Sequence, residues 1–101
     1  MSNIDDNKIS YEIKNQCCNN FVELIEQFCQ SLEVEKNFSK HTIRNYRNDL
    51  MSFVLWCDRN DIDPLLCNYR ELRYYLGEMD SAQYSRTTIN RRLSSLRSFY
   101  K

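Results

Sequence analysis

The chain has 101 residues, 42% hydrophobic and 28% charged, with fourteen cations balanced by fourteen acids. That length supports one packed core, and the composition is that of an ordinary globular domain, which excludes wholesale disorder. No apolar run approaches the ~18–20 residues that span a bilayer, and the start, MSNIDDNKIS, has neither a basic end nor an apolar signal core, so a cytoplasmic protein with no membrane partner is expected.

One Gly and one Pro leave little material for β-turns, which predicts an all-α protein of helices joined by short polar loops. Cys17, Cys18, Cys29, Cys57 and Cys67 are odd in number, lack a C-x-x-C pair and accompany a single His. Neither a disulfide framework nor a metal site is expected, and no cofactor. Cys29 and Cys57 fall on or beside apolar helix faces and read as buried thiols.

Residues 1–19, rich in Asn, Asp and Lys, show no sustained period and read as a lead-in, with a turn of helix around 11–17. The domain proper is expected over 20–101. Phe21, Leu24, Ile25, Phe28 and Leu32 line one stripe of a first helix over 21–36, with Asn20 as N-cap and Glu23 three residues on. Its outer face is acidic or amide, a poor surface for a polyanion. Ser39 caps a second helix over 40–60, whose core stripe is Ile43, Tyr46, Leu50, Phe53, Val54 and Cys57. In its first half Lys40, His41, Arg44 and Arg47 precede any acid, at the end of a helix that already attracts phosphate through free N–H groups and its dipole. Met51, Leu55 and Trp56 lie off the stripe and predict a further neighbour.

Residues 61–67 hold Pro64 and read as a loop. Asn68 and Glu71 form a capping-box pattern for a third helix with Tyr69, Leu72, Leu76 and Met79 inward, and Gly77 weakens its last turn. After a polar link over 80–84, residues 85–101 carry Arg86, Arg91, Arg92, Arg97 and Lys101 with no acid. Ser85 caps this fourth helix. Ile89, Leu93, Leu96 and Tyr100 share one face, Thr87, Arg91, Ser94 and Ser98 the other, and Asn90 and Ser95 its shoulders. A helix that forgoes acid–base pairs at i,i+4 invites a counter-charge from outside the domain, and phosphate fits. Charge is also segregated along the chain, since residues 1–36 hold three lysines against seven acids and the remainder carries a net +4.

Two motifs, Ser39-x-x-Thr42-x-x-x-Tyr46-x-x-Asp49-Leu50 and Thr88-Ile89-x-Arg91-Arg92-Leu93-Ser94-x-Leu96-Arg97-x-Phe99-Tyr100, stand in an order and separation that resemble the N-terminal SAM-like, core-binding domain of tyrosine recombinases, the phage-integrase and Xer-like family. The resemblance runs from about Phe21 to the end of the chain. It implies a small bundle of four main helices that grips duplex DNA through the second and fourth, in support of DNA integration and recombination. Carried over by position, the DNA contacts are Lys40, His41, Thr42, Arg44 and Arg47, then Arg86, Thr87, Asn90, Arg91, Ser94 and Arg97. The partners implied are double-stranded DNA, the catalytic domain of the same parent protein and neighbouring protomers on DNA. In the family the Tyr nucleophile and its cations lie in that catalytic domain, which this chain lacks, so no catalytic residue and no enzymatic activity are expected here. Tyr100 matches a bundle position instead.

Plainer readings stand beside these. His41 can be solvated, and Arg91 and Arg97 can be solubilising surface residues. Arg47 and Arg92 lie near apolar stripes and can rest their stems on the core with the guanidinium reaching out. The aromatic residues are read as core, with Tyr74 and Tyr84 exposed. A rival function is a helical protein-interaction module that docks through Met51, Leu55, Trp56 and the acidic first helix without binding DNA.

Overall fold

The computed structural model describes residues 13–100, and among them every regular element is helical. The chain forms α1 (Gln16–Val34), α2 (Lys40–Arg59), a single 3-10 turn (Pro64–Leu66), α3 (Tyr69–Ser81) and α4 (Arg86–Tyr100). The four-helix all-α bundle expected from the sequence is the observed fold. Of the lead-in, residues 1–12 lie outside the described part.

Local side-chain chemistry sets most of the helix starts. Ser39 Oγ accepts from Thr42 N (3.2 Å) and Ser85 Oγ from Thr88 N (3.1 Å). Asn68 and Glu71 close a full capping box, each side chain accepting from the other's backbone N–H (2.8 and 3.0 Å). Asp63 accepts from Leu65 N and seats Pro64 at the first position of the 3-10 turn. Helices α2 and α3 end in Schellman turns: Ile62 N donates to Cys57 O (2.9 Å) and Tyr84 N to Met79 O (3.1 Å), with Asp61 and Gln83 at positive φ in the position usually filled by Gly.

Helix α1 differs from expectation. It begins at Gln16, with Asn15 rather than Asn20 as N-cap. No side chain of its own caps it; the Asp58 carboxylate from the end of α2 does so, accepting from Lys14 N (3.1 Å), Asn15 N (2.8 Å) and Asn15 Nδ2 (2.9 Å). Burial opposes ionisation of Asp58, yet these bonds outweigh it and hold the carboxyl below its ordinary range. The extra turn carries Cys18 into the core.

Helix α2 is the central element. Ile43, Leu50, Phe53, Val54 and Cys57 are buried as its stripe predicts, but so are Met51 (4% exposed) and Trp56 (3%). Their neighbour is α3, where the Tyr75 ring lies 5.2 Å from both Phe53 and Trp56. Of the surface on which the interaction-module reading relied, Met51 and Trp56 are therefore interior and Leu55 half-buried, while the acids of α1 are exposed. On α3 the inward set is Leu72, Tyr75, Leu76 and Met79, whereas Tyr69, expected inside, is 75% exposed. Tyr74 and Tyr84 are exposed as expected. At the end of α4, Phe99 takes the inner place between Phe21 and Phe28, at 4.9 and 5.3 Å, and Tyr100 lies at the rim. No helix of the described residues is long and apolar enough to cross a membrane.

Candidate nucleic-acid interface

The outward face of α4 is built by subtraction. Ser95 and Leu96 are buried, and Thr88, Ile89, Arg92, Leu93 and Phe99 are half-buried against α2, α3 and α1. What remains exposed is Arg86, Thr87, Asn90, Arg91, Ser94, Arg97, Ser98 and Tyr100, and of these Arg86, Thr87, Asn90, Ser94 and Arg97 gather in an arc of about 100° round the helix. Within the described residues none of the five has an ion pair or a side-chain hydrogen bond. The face is a row of cationic and hydrogen-bonding groups with no partner inside the fold.

Arg91, expected in the middle of that row, sits at its edge, and its counter-charge comes from within. The Asp49 carboxylate of α2, 1% exposed, accepts from Arg91 Nε (3.1 Å) and Nη2 (2.9 Å) and from Ser95 Oγ (2.8 Å). Hydrogen bonding to Asp49 holds the Arg91 guanidinium above its ordinary value. The Arg91 side chain is still 48% exposed, so one edge faces solvent. Arg92 goes further inward and does not reach out as its position suggests. It donates through Nη1 to Ser52 Oγ (2.9 Å), and its guanidinium carbon lies 4.6 Å from the Tyr84 ring centre. Ser52 Oγ also shares a hydrogen bond with the Tyr75 hydroxyl (3.2 Å), so one polar network joins α2, α3 and α4.

Sequence reasoning missed Asp49 and Arg92 as members of this network. A signal was present: Asp49 stands three residues after Tyr46 and four before Phe53, inside the core stripe of α2. A carboxylate in such a place requires a cation.

At the start of α2, Lys40, His41 and Arg44 are exposed, without ion pairs or side-chain hydrogen bonds among the described residues. Thr42 Oγ1 accepts from Ser39 Oγ (3.0 Å). Arg47 turns towards α1 and makes a two-pronged contact with Glu26, at 3.0 and 2.9 Å. Helix α4 packs on the Asp49 side of α2, and at 100° per residue Thr42 lies about 20° from Asp49, His41 about 80° and Arg44 about 140°. By helical position Thr42 thus lies on the side of α2 that meets α4 and His41 at its flank, while Lys40, Arg44 and Arg47 lie round the far side.

The remaining reactive groups have structural partners. The Tyr100 hydroxyl donates to Pro64 O (2.6 Å), and burial raises its pKa further, the opposite of what a nucleophile needs. Cys29 and Cys57 are buried free thiols as expected, pushed up by desolvation. Among the described residues no three His, Cys, Asp or Glu side chains gather as a metal site would require.

The pattern of the family described as phage integrase, N-terminal SAM-like domain, matches residues 25–101. The chain belongs to that family. Its curated relatives include the tyrosine recombinase XerC of Staphylococcus aureus strains JH9, N315 and bovine RF122 / ET3-1, each 37% identical over 76 residues, which cover 75% of this chain and 26% of theirs. The chain therefore spans about a quarter of the length of these members. No solved structure matches it. The match to the family takes in α2, α3, α4 and most of α1, and so contains both elements of the candidate interface.

Proposed function

We propose that the chain is a non-catalytic DNA-binding domain of a tyrosine recombinase or integrase, holding duplex DNA against α4 and the start of α2 while a catalytic domain elsewhere in the parent protein carries out strand exchange. The observation that carries this reading is the outward face of α4, where Arg86, Thr87, Asn90, Ser94 and Arg97 stand together without an acid or an internal partner. On a neutral chain such a row is an unmet demand for acceptors, and DNA phosphates meet it. Membership of a family whose relatives are named tyrosine recombinases supports duplex DNA over other polyanions.

In this reading Arg86 and Arg97 neutralise phosphates, while Thr87, Asn90 and Ser94 bond phosphate oxygens or base edges. His41 and Thr42 extend the contact across the seam, beside the free N–H groups that open α2. Lys40, Arg44 and Arg47 reach a more distant stretch of backbone, Arg47 after exchanging Glu26 for phosphate. Neutralising ~4 to 6 phosphates gives a fall of log K with log salt of roughly −4 to −5. Fluorescence anisotropy of a labelled duplex titrated at several salt concentrations tests this, and binding that ignores salt would point to another surface.

A further inference from the structure

We propose that Asp49 is a positioning residue for the DNA interface: from beneath α4 it orients Arg91 so that the arginine offers DNA a fixed two-pronged donor edge, matched to paired acceptors on guanine or phosphate. This rests on the DNA-binding reading above and adds to it the geometry of one contact.

A guanidinium carries five N–H donors in a rigid plane. Asp49 takes the inner pair, on Nε and Nη2, and Ser95 donates to the oxygen that receives Nε, at 2.8 Å. Being 1% exposed, the carboxylate cannot swing into water. Two parallel N–H groups on Nη1 and Nη2 remain at the end of the fork, and the 48% exposure of the side chain leaves that end open. By helical position it borders Thr87 and Ser94, members of the unpartnered row. Parallel donors of this kind fit O6 and N7 of guanine or two oxygens of one phosphate. An unrestrained arginine loses rotamer freedom on docking, whereas this one is already ordered.

Charge alone makes the opposite prediction. Replacing Asp49 with Asn removes a negative charge beside the interface and, by electrostatics, tightens binding to any duplex. A positioning role means that the same change weakens it, because the inner clamp is gone and the fork can turn. The test compares wild type, Asp49→Asn, Arg91→Lys and Ser95→Ala on two short duplexes at one salt concentration. One is selected by the wild-type chain from a randomised pool, and the other is of mixed sequence.

Asp49→Asn and Arg91→Lys are expected to lose roughly tenfold in affinity, and Ser95→Ala, which keeps both charges, less but in the same direction. Loss confined to the selected duplex identifies guanine as the acceptor, and equal loss on both identifies phosphate. Circular dichroism checks folding, and Arg91→Lys and Ser95→Ala carry the test if Asp49→Asn unfolds. Unchanged or tighter binding of both duplexes by the folded variants overturns the positioning role while leaving DNA binding intact. If wild type binds neither duplex at low salt, the DNA-binding reading itself fails and this inference with it.

Discussion

Helix α4 carries two kinds of arginine. Arg91 and Arg92 lie on the side that meets α2 and α3, where Asp49, Ser52 and Tyr84 receive them. Arg86 and Arg97 lie on the other side with no internal partner among the described residues. The same residue type in one fifteen-residue helix thus serves two ends. The inner pair is tied to the bundle, with one edge of Arg91 still open to solvent, and the outer pair is wholly available to a ligand. Counting charge cannot separate them; what separates them is whether a neighbouring helix supplies an acceptor.

That contrast can be broken at its strongest point first. Asp49 also lies 3.9 Å from Arg92 Nε, so Asp49→Ala takes the shared counter-charge from both Arg91 and Arg92 and is expected to destabilise the fold by about 3 kcal/mol, read as a lower denaturant midpoint at unchanged slope. A loss near zero would mean that the inner arginines are as dispensable as the outer ones. Asp58 sharpens the comparison, since it is a buried acid answered mainly by backbone and amide N–H groups. Asp58→Ala is expected to cost about 2 kcal/mol, with the loss of protection concentrated in the amides at the start of α1.

Asp58 also fixes a pH dependence. Its carboxyl is held below the ordinary value of about 4, so its contribution is fully present above that value and is lost as pH falls through the lower value of the folded state. Wild type is expected to lose stability on that acid limb, and Asp58→Ala to lose less of it. Arg92→Ala, which removes the Ser52 hydrogen bond and the Tyr84 contact, is expected to cost about 1–2 kcal/mol. At the far end of the scale, Arg86→Ala and Arg97→Ala are each expected to change stability by no more than about 0.5 kcal/mol. A larger change would show that the outer row also holds the fold.

Which parts of this were legible in the sequence follows the range of the interactions. Ser39, Asn68 with Glu71, and Ser85 act on backbone groups three residues away, so three helix starts could be read locally. The start of α1 could not, because its cap is Asp58, 43 residues distant from Asn15. On α3 the choice between Tyr69 and Tyr75 was available from spacing, since Leu72, Tyr75, Leu76 and Met79 form an unbroken i, i+3, i+4, i+7 set. Exposure of Thr87, Asn90 and Ser94 followed from period, but that of Arg86 and Arg97, which stand within about 40° of Leu93 on the helix, did not, and Ser95, expected at a shoulder of the polar face, is buried against Asp49. That Met51 and Trp56 have a neighbour followed from their place off the stripe; that α3 is the neighbour and buries them did not, because α2 is covered from several sides and a single stripe describes only one of them. Likewise the partner of Arg91 is a tertiary contact, hinted at only by an acid standing on an apolar stripe.

DNA binding by this domain turns on the outer row of α4 meeting phosphate. The most direct measurement is the salt dependence of duplex affinity for wild type and for the Arg86→Ala, Arg97→Ala double variant. The expected slope for wild type is roughly −4 to −5, falling in magnitude by about 2 in the variant while both proteins melt alike. Equal slopes for the two proteins, or no duplex binding by wild type at low salt, would contradict it.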